Sequence, residues 1–141
     1  VTVSRGLGDV YKRQGQNWEA FMYASANNVD NIIVTVDYNG QQIDGSTEDV
    51  LDIGNLKLKL ESFNWKVLEI ENGNSLDDVY KTLNEAKENS MKGKPVVILM
   101  KTIMGNGVDF MMHSHKWHGV APNDEQLEEA LNQNPETLGD Y

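Results

Sequence analysis

The sequence predicts an α/β fold, a doubly wound parallel sheet with helices on both faces. Short apolar runs rich in β-branched residues alternate with amphipathic segments of helical period. The composition is that of a globular domain, with 141 residues of which 39% are apolar and 24% charged. Because strands that alternate with helices form parallel β-α-β units with right-handed crossovers, we expect one such sheet.

The first half of the chain is predicted to contain two helices and two strands. Residues 1–14 show no apolar period, whereas the apolar positions of 16–29 follow a helical stripe. The run I-I-V-T-V at 32–36 predicts a strand buried on both faces. A helix over 56–63 then leads into a second strand over 66–70.

The second half begins with an Asn-Gly-Asn turn at 72–74. Ser75 is predicted to cap a helix that runs to about Ser90. The apolar stripe of that helix consists of Leu76, Val79, Tyr80, Leu83 and Ala86. The run K-G-K-P at 92–95 breaks it, V-V-I-L-M at 96–100 predicts the third strand, and a last helix is expected over 123–131.

Two polar loops follow predicted strands. The first loop spans residues 37–49, and the second loop spans residues 102–122 and contains all three histidines. In open parallel sheets, ligands bind beyond the carboxyl ends of the strands. We therefore expect the functional residues in these two loops.

The overall composition excludes several classes of function. The chain has no cysteine, so disulfides, thiolate metal sites and cysteine nucleophiles are excluded. Its net charge of −10 makes nucleic acid an unsuitable partner, since phosphates need a basic face. No signal-peptide pattern is present, and the longest apolar run is too short to span a bilayer. A cytoplasmic location without a membrane partner is expected.

The first loop has two interpretations. Its oxygen-bearing side chains could bind a hard cation such as Mg²⁺. Alternatively, its Asn-Gly and Asp-Gly pairs simply turn the chain. The oxygen-bearing side chains in question are Asp37, Asn39, Gln41, Gln42 and Asp44.

The second loop also leaves alternatives open. Its histidines, His113, His115 and His118, could form a three-histidine zinc site, or one of them could face an anionic ligand. They could equally have no ligand at all. The chain has no G-x-S-x-G, P-loop or G-x-G-x-x-G motif, so acyl transfer and nucleotide binding by those routes lack support.

Five stretches together carry a family resemblance. They are G-Q-N-W-E-A (15–20), V-D-Y-N-G-Q-Q-I-D-G (36–45), W-K-V-L-E-I (65–70), K-T-I-M-G-N-G-V-D-F-M (101–111) and W-H-G-V-A-P-N-D-E-Q-L (117–127). In order and spacing they resemble the N-terminal half of transketolase, especially the separate N-terminal subunit of split transketolases. The resemblance covers more than four fifths of the chain.

This resemblance implies a function. Transketolases are transferases of the pentose phosphate pathway that move a two-carbon ketol unit between sugar phosphates. They use thiamine diphosphate (thiamine pyrophosphate) and a divalent metal, Mg²⁺ or another cation such as Ca²⁺. Residues 15–141 would then be a partial thiamine-diphosphate-binding domain, the part that binds the diphosphate. The implied partners are sugar-phosphate substrates and the transketolase C-terminal half or subunit, in a homodimer or heterotetramer.

The resemblance also implies roles for individual residues. Asn39 and the main-chain carbonyl of Gln41 match two metal ligands of the family. Met104 matches an apolar residue that packs on the thiazolium ring, and Glu19 matches a carboxylate at the dimer interface. His118 matches a catalytic histidine that lines the site near the diphosphate and the substrate, where it would stabilise negative charge.

The third metal ligand of the family is the aspartate of a Gly-Asp-Gly motif. Asp9 matches it, because it precedes Asn39 by the thirty residues that the family has, but Val10 stands where the second glycine belongs. The stretch V-S-R-G-L-G-D-V-Y-K-R-Q at 3–14 resembles a translated sequencing adapter. Residues 1–14 are therefore expected to be a non-native leader. Asp9 then meets the spacing by coincidence, or it still binds the metal if the backbone follows the path that the family has.

Two other readings remain open. The parent protein could be another thiamine-diphosphate enzyme, such as a deoxyxylulose-phosphate synthase, or the chain could be a non-catalytic α/β fragment. Under the transketolase reading, the chain alone is expected to be inactive, since the family's remaining cofactor and substrate contacts lie outside it. For the same reason, weak or absent cofactor binding is expected.

Overall fold

Four parallel strands form the central sheet of the computed structural model, which describes residues 6–7, 14–42 and 45–134. Numbered along the chain, the strands are β1 (Gly6–Leu7), β2 (Ile33–Asp37), β3 (Gln41–Gln42), β4 (Gly45–Ser46), β5 (Lys66–Ile70) and β6 (Val96–Met100). The sheet has the order β1-β2-β6-β5, and β3 pairs with β4 in a short antiparallel ladder. The parallel sheet expected from the sequence is confirmed.

Five α-helices connect or follow these strands in the described part of the chain. They are α1 (Gly15–Ala26), α2 (Thr47–Leu51), α3 (Leu56–Ser62), α4 (Leu76–Asn89) and α5 (Asp124–Gln133), and a 3₁₀ turn spans His115–Trp117. Ser75 caps α4 as predicted, because its hydroxyl accepts from the Asp78 N–H. Asn123 begins α5 with a reciprocal capping box to Gln126. The predicted helices and strands are thus confirmed, with ends that differ by a few residues.

The core has two layers, one on each face of the sheet. On one face, α1 and α3 cover side chains of β2 and β6. The buried residues of this layer come from the helices as well as the strands; they are Phe21, Ala24, Val34, Val36, Leu56, Leu60, Trp65, Val97 and Leu99. On the other face, α4 covers Ile33, Leu68, Ile70, Val96 and Ile98 through Ala86. Alternate residues of each strand point to opposite faces, so both layers need apolar side chains. Helices on both faces are therefore confirmed.

The layer under α1 is fastened by aromatic side chains. The Trp65 indole N–H donates to the Phe21 carbonyl oxygen at 2.9 Å, and the two rings meet edge to face at 5.1 Å. Trp18 packs in the same manner on Phe63, with ring centroids 6.0 Å apart. This arrangement buries Trp65 while its polar N–H keeps a partner.

The apolar stripe predicted for α4 is largely exposed. Ala86 is fully buried and Val79 is half-buried, but Leu76 and Tyr80 are 85% and 72% exposed. One turn of an α-helix takes 3.6 residues, so Val79 and Ala86 lie on one line along α4, and this line meets the sheet. On one side of that line lie Leu76, Tyr80 and Leu83. The apolar stripe of α4 therefore faces the sheet only in part.

The terminal segment contains a short strand, and the first loop differs from the expectation. β1 lies within the residues predicted to be a non-native leader, and it pairs in parallel with β2, Gly6 beside Thr35 and Leu7 beside Val36. The first loop contains β3, β4 and the start of α2, rather than continuous irregular chain. Among the described helices, none is long and apolar enough to cross a membrane.

Candidate functional site

The two loops begin side by side at one edge of the sheet. β2 and β6 pair in register from Ile33 beside Val96 to Asp37 beside Met100. One step further, the Tyr38 N–H donates to the Met100 carbonyl oxygen at 2.8 Å. The carboxyl ends of both strands therefore lead into adjacent loops, as the topology of a parallel sheet requires.

Asp37, the last residue of β2, joins these loops through its carboxylate. Its Oδ1 accepts a hydrogen bond from the Thr102 hydroxyl, at the start of the second loop. Its Oδ2 accepts from the Asn39 side-chain amide Nδ2 at 3.1 Å. One half-buried carboxylate thus holds a residue of each loop.

The metal-ligand candidates of the first loop occupy a tight turn. The Asn39 Oδ1 accepts a hydrogen bond from the Gln41 backbone N–H at 2.8 Å. Between them, Gly40 adopts φ +71°, a conformation that glycine reaches without strain, and its carbonyl oxygen accepts from the Thr47 N–H at 2.9 Å. Asn39 and Gln41 are thereby brought together on one turn.

The start of the second loop packs against the turn after β5. The Gly73 N–H donates to the Lys101 carbonyl oxygen at 2.7 Å, and the Ile103 N–H donates to the Asn74 Oδ1 at 2.8 Å. A Cβ on Gly73 would lie 2.8 Å from the Thr102 Cγ2, so this approach requires glycine. The segment that precedes Met104 is therefore fixed from the β5 side as well.

Two surface ion pairs flank this edge of the sheet. Lys101 donates to both carboxylate oxygens of Glu71, at 2.9 and 2.7 Å, and this hydrogen bonding raises the pKa of Lys101 above its ordinary value. The hydrogen bond from Lys57 to Glu69 likewise raises the pKa of Lys57. Both lysines are solvent-exposed ion-pair partners, so these pairs contribute little to stability.

The middle of the second loop folds back on itself immediately after Met104. Gly105 has φ +72°, and a Cβ there would lie 2.7 Å from backbone atoms of Met111. The Val108 N–H donates to the Gly105 carbonyl oxygen at 3.1 Å, and the Met111 N–H donates to that of Val108 at 2.9 Å. Met104 itself is half-buried at the entrance of this turn.

The end of α5 clamps the same loop from outside. The Asn134 Nδ2 donates to the Gly107 carbonyl oxygen at 2.9 Å, and the Gln133 Oε1 accepts from the Asp109 N–H at 2.7 Å. Gly107 has φ +94°, and a Cβ there would lie 2.6 Å from the Asn134 Oδ1. The conformation of this part of the loop therefore depends on residues at the end of α5, 24 to 27 positions further along the chain.

The last part of the second loop is held by an aromatic pair. The Trp117 indole N–H donates to the Phe110 carbonyl oxygen at 2.8 Å, and the two rings pack with centroids 5.2 Å apart. His118 follows directly; it is exposed, and its backbone N–H donates to the His115 carbonyl oxygen at 3.0 Å. The imidazole of His118 is thus accessible to a ligand.

The three histidines of the second loop do not form a metal site. Within residues 6–7, 14–42 and 45–134, no three His, Asp or Glu side chains come together in a group that could hold a metal ion. His113 is exposed and takes a left-handed conformation, φ +58°. The three-histidine zinc arrangement is therefore not formed.

Oxygen donors of the first loop fit a hard cation better. The Asn39 Oδ1 has a second lone pair besides the one that accepts from Gln41, and a main-chain carbonyl adds another neutral oxygen. Two neutral donors do not complete the coordination shell of Mg²⁺ or Ca²⁺, so further oxygens must come from elsewhere. The proposed ligand Asp9 lies outside the described residues.

The remaining candidate, Glu19, lies apart from both loops in the sequence and is exposed on α1. Sequence reasoning missed the residues that support the loops, namely Thr102, Asn74, Gln133 and Asn134. Asn74 belongs to a recognisable turn motif, but no local pattern marks Gln133 or Asn134 as contacts of the second loop.

Comparisons with known proteins agree with this architecture. Residues 5–136 match the family described as "Transketolase, thiamine diphosphate binding domain". The chain is 32% identical over 132 residues to an apulose-4-phosphate transketolase subunit of Phocaeicola vulgatus, covering 94% of this chain and 46% of that protein. It is 30% identical over 115 residues to human transketolase, covering 80% of this chain and 17% of that protein.

A solved structure resembles the whole described fold. The crystal structure of transketolase from Campylobacter jejuni matches with a TM-score of 0.84 at 30% identity, over 94% of this chain and 20% of that chain. The chain spans less than half the length of the curated relatives named above. The match nevertheless extends over nearly all of this chain, and the chain therefore belongs to the transketolase thiamine-diphosphate-binding domain family.

Proposed function

We propose that this chain supplies the diphosphate- and metal-binding part of a transketolase-type transferase. The observation that carries the proposal is the junction at the carboxyl ends of β2 and β6. There, one carboxylate links the turn of Asn39 and Gln41 to the loop of Met104. Membership of the thiamine-diphosphate-binding family says which cofactor this junction would serve.

The first loop would hold the metal. The Asn39 Oδ1 and the Gln41 main-chain carbonyl would bind Mg²⁺ or another divalent cation such as Ca²⁺, with Asp9 as a third ligand. A diphosphate carries too much charge to lie beside Asp and Asn side chains without a cation between them. We therefore expect the metal and the diphosphate to bind as one unit and to complete each other's contacts.

The second loop would contact the rest of the cofactor. When bound, thiamine diphosphate supplies the carbanion chemistry of ketol transfer, and the protein supplies orientation and electrostatics. Met104, half-buried at the entrance of its turn, would pack against the thiazolium ring. The exposed His118 would stabilise negative charge on the diphosphate or on a developing oxyanion, without forming a covalent bond.

A complete active site would need a second polypeptide segment. The relative from Phocaeicola vulgatus is named as a transketolase subunit, which supports a partner subunit or C-terminal half for this chain. We propose sugar phosphates as substrates, a cytoplasmic role in the pentose phosphate pathway, and a homodimer or heterotetramer with Glu19 at the interface. Glu19 is exposed on α1, as an interface position must be before assembly.

Calorimetric titration of the chain with thiamine diphosphate tests the proposed cofactor site. Weak binding that requires Mg²⁺ is expected, and Asn39→Ala should abolish it by removing a metal ligand. Asn84→Ala is the matched control, because Asn84 lies exposed on α4 and donates to the Tyr80 carbonyl oxygen of its own helix. Equal binding without Mg²⁺ or equal binding by Asn39→Ala would contradict the proposal. No heat at millimolar cofactor would favour the non-catalytic fragment.

Turnover measurements test the need for the partner. The chain alone, with Mg²⁺ and thiamine diphosphate, is expected to transfer no ketol unit from a ketose phosphate. Addition of a transketolase C-terminal half is expected to produce activity. Turnover by the purified chain alone would show that the site needs no second segment.

A further inference from the structure

The Asp37 carboxylate makes hydrogen bonds to both loops, but it is not among the proposed ligands of the metal or the cofactor. We propose that Asp37 is a positioning residue, which fixes the Asn39 amide with its oxygen towards the metal and couples the metal-binding turn to the second loop. This inference rests on the proposed function and deepens it. It assigns the orientation of a ligand to a residue that would not itself bind the metal.

The orientation follows from which atoms can donate. A side-chain amide can be turned over so that its oxygen and its NH₂ group exchange places. An ionised carboxylate only accepts, so the amide NH₂ of Asn39 must face Asp37, and the distance of 3.1 Å fits that bond. Turning the amide over would bring its oxygen against the carboxylate and its NH₂ against the Gln41 N–H. Both hydrogen bonds would then be lost.

This orientation leaves a suitable oxygen for a cation. With its NH₂ group held by Asp37, Asn39 presents Oδ1 on the side of Gln41, whose N–H lies 2.8 Å away. That bond uses one lone pair of the oxygen and leaves the other. The remaining lone pair therefore belongs to the same turn as the Gln41 carbonyl, the second proposed ligand.

The other oxygen of the carboxylate extends the effect to the second loop. The Thr102 hydroxyl donates to the Asp37 Oδ1, although the two residues are 65 positions apart. Thr102 precedes Met104 by two residues, so the same carboxylate sets where the second loop leaves β6. Groups that hold a metal ligand in this indirect way strongly influence metal affinity.

Hydrogen exchange of the Gln41 backbone N–H, followed by NMR on the chain without metal, tests the orientation directly. In Asp37→Ala the Asn39 amide loses its anchor, and the Gln41 N–H is expected to exchange about tenfold faster. Asp37→Asn should stay close to the original chain, because its side-chain oxygen can still accept from Asn39. If Asp37→Ala fails to fold, Asp37→Val carries the same test with a residue that suits a strand end.

Two further variants separate the local effect from general loosening. Asp52→Ala is the matched control, because the exposed Asp52, like Asp37, accepts a hydrogen bond from the residue two positions on; here the donor is the Gly54 backbone N–H, at 2.7 Å. It should leave Gln41 unchanged. Thr102→Val should also leave Gln41 unchanged but speed exchange of the Ile103 N–H. An unprotected Gln41 N–H in the original chain would overturn the inference. So would a Gln41 N–H that is as well protected in Asp37→Ala and Asp37→Val as in the original chain.

Titration with Mn²⁺ in the presence of thiamine diphosphate gives the second readout. Paramagnetic broadening is expected at the Asn39 side-chain amide and the Gln41 N–H in the original chain and in Asp37→Asn. In Asp37→Ala, about tenfold more Mn²⁺ should be needed for the same broadening. Equal Mn²⁺ dependence in the original chain and in Asp37→Ala would contradict the proposed influence of Asp37 on metal binding. Absence of broadening in the original chain would contradict the proposed function, and the exchange rates would still decide whether Asp37 orients Asn39.

Discussion

The two loops at the carboxyl edge of the sheet are held by different sets of contacts. The first loop is fixed largely from within, by hydrogen bonds between Asp37, Asn39 and Gln41, which lie within a few positions of one another. The second loop has internal hydrogen bonds as well, but it is also held by the turn after β5 and by the end of α5. The turn that carries the proposed metal ligands can therefore be encoded locally, whereas the loop that would contact the cofactor ring also depends on neighbouring elements.

This difference has a functional consequence. Changes in the outer supports of the second loop should disturb Met104 and His118 while the turn of Asn39 stays intact. The geometry of the two loops would then change separately. Substitutions in the second loop and in the residues that support it test this separation.

The largest effect is expected for Gly105→Ala. The added Cβ would lie 2.7 Å from Met111 backbone atoms, which cannot move aside as a side chain can, and φ is +72°. Left-handed strain and overpacking together should lower the free energy of unfolding by about 2–4 kcal/mol. Urea denaturation measures this loss, and NMR shifts should change across the second loop but not at Gln41.

Gly93→Ala is the matched control for that substitution. Gly93 has a similar φ, +81°, but a Cβ there meets nothing within 4 Å. Only the conformational strain remains, so the loss should be about 1–2 kcal/mol. If both variants lose the same stability, the close contact between Gly105 and Met111 is not a constraint on the loop.

A smaller effect is expected where α5 meets the loop. The Cβ of Gly107→Ala would collide with a side-chain atom, the Asn134 Oδ1 at 2.6 Å, which can move. We expect a loss of about 2 kcal/mol for Gly107→Ala and about 1 kcal/mol for Asn134→Ala, which removes the bond to the Gly107 carbonyl. The double variant should lose less than the sum, since removing the amide makes room for the methyl group.

A double-mutant cycle by urea denaturation measures that coupling. Additive losses would mean that Gly107 and Asn134 act independently, and the clamp by α5 would be contradicted. Asn89→Ala supplies a control within the cycle. Asn134 donates to the Ala130 carbonyl oxygen of α5 as well, and Asn89 makes the same kind of bond to the Glu85 carbonyl oxygen, but on α4. It should show no coupling with Gly107→Ala.

The smallest effect is expected for Trp117→Phe. The substitution keeps an aromatic ring against Phe110 but removes the indole N–H that donates to the Phe110 carbonyl oxygen. A loss of about 1 kcal/mol is expected, measured by urea denaturation. Shift changes that spread to β2 would mean that this pair supports the sheet rather than the loop.

Local patterns predicted much of this molecule. The β-branched runs of β2 and β6 indicated their strands because such residues suit burial on both faces, and Ser75 marked the start of α4 because its hydroxyl caps a free N–H. The Asn-Gly pair at 39–40 likewise indicated the turn that joins Asn39 and Gln41. Its hydrogen bonds span only two residues, so the sequence alone contains their geometry.

Contacts between distant segments could not be predicted in the same way. The bond between Asp37 and Thr102 exists only because β2 and β6 pair in register, and the clamp on Gly107 only because α5 ends beside it. The exposure of the α4 stripe could not be predicted for a similar reason. Periodicity shows which residues share a face of the helix, but it does not show which part of that face contacts the sheet. Leu76 and Tyr80 therefore remain exposed although their spacing is that of a buried face.

The central claim is that the two loops form one cofactor site. Titration with thiamine diphosphate and Mn²⁺ in place of Mg²⁺, followed by NMR line broadening, tests it most directly. We expect broadening of the NMR signals of Gln41 in the first loop and of residues near Met104 in the second loop, while the signals of Asn84 on α4 stay unaffected. Broadening confined to one loop, or strongest away from the carboxyl ends of β2 and β6, would contradict it.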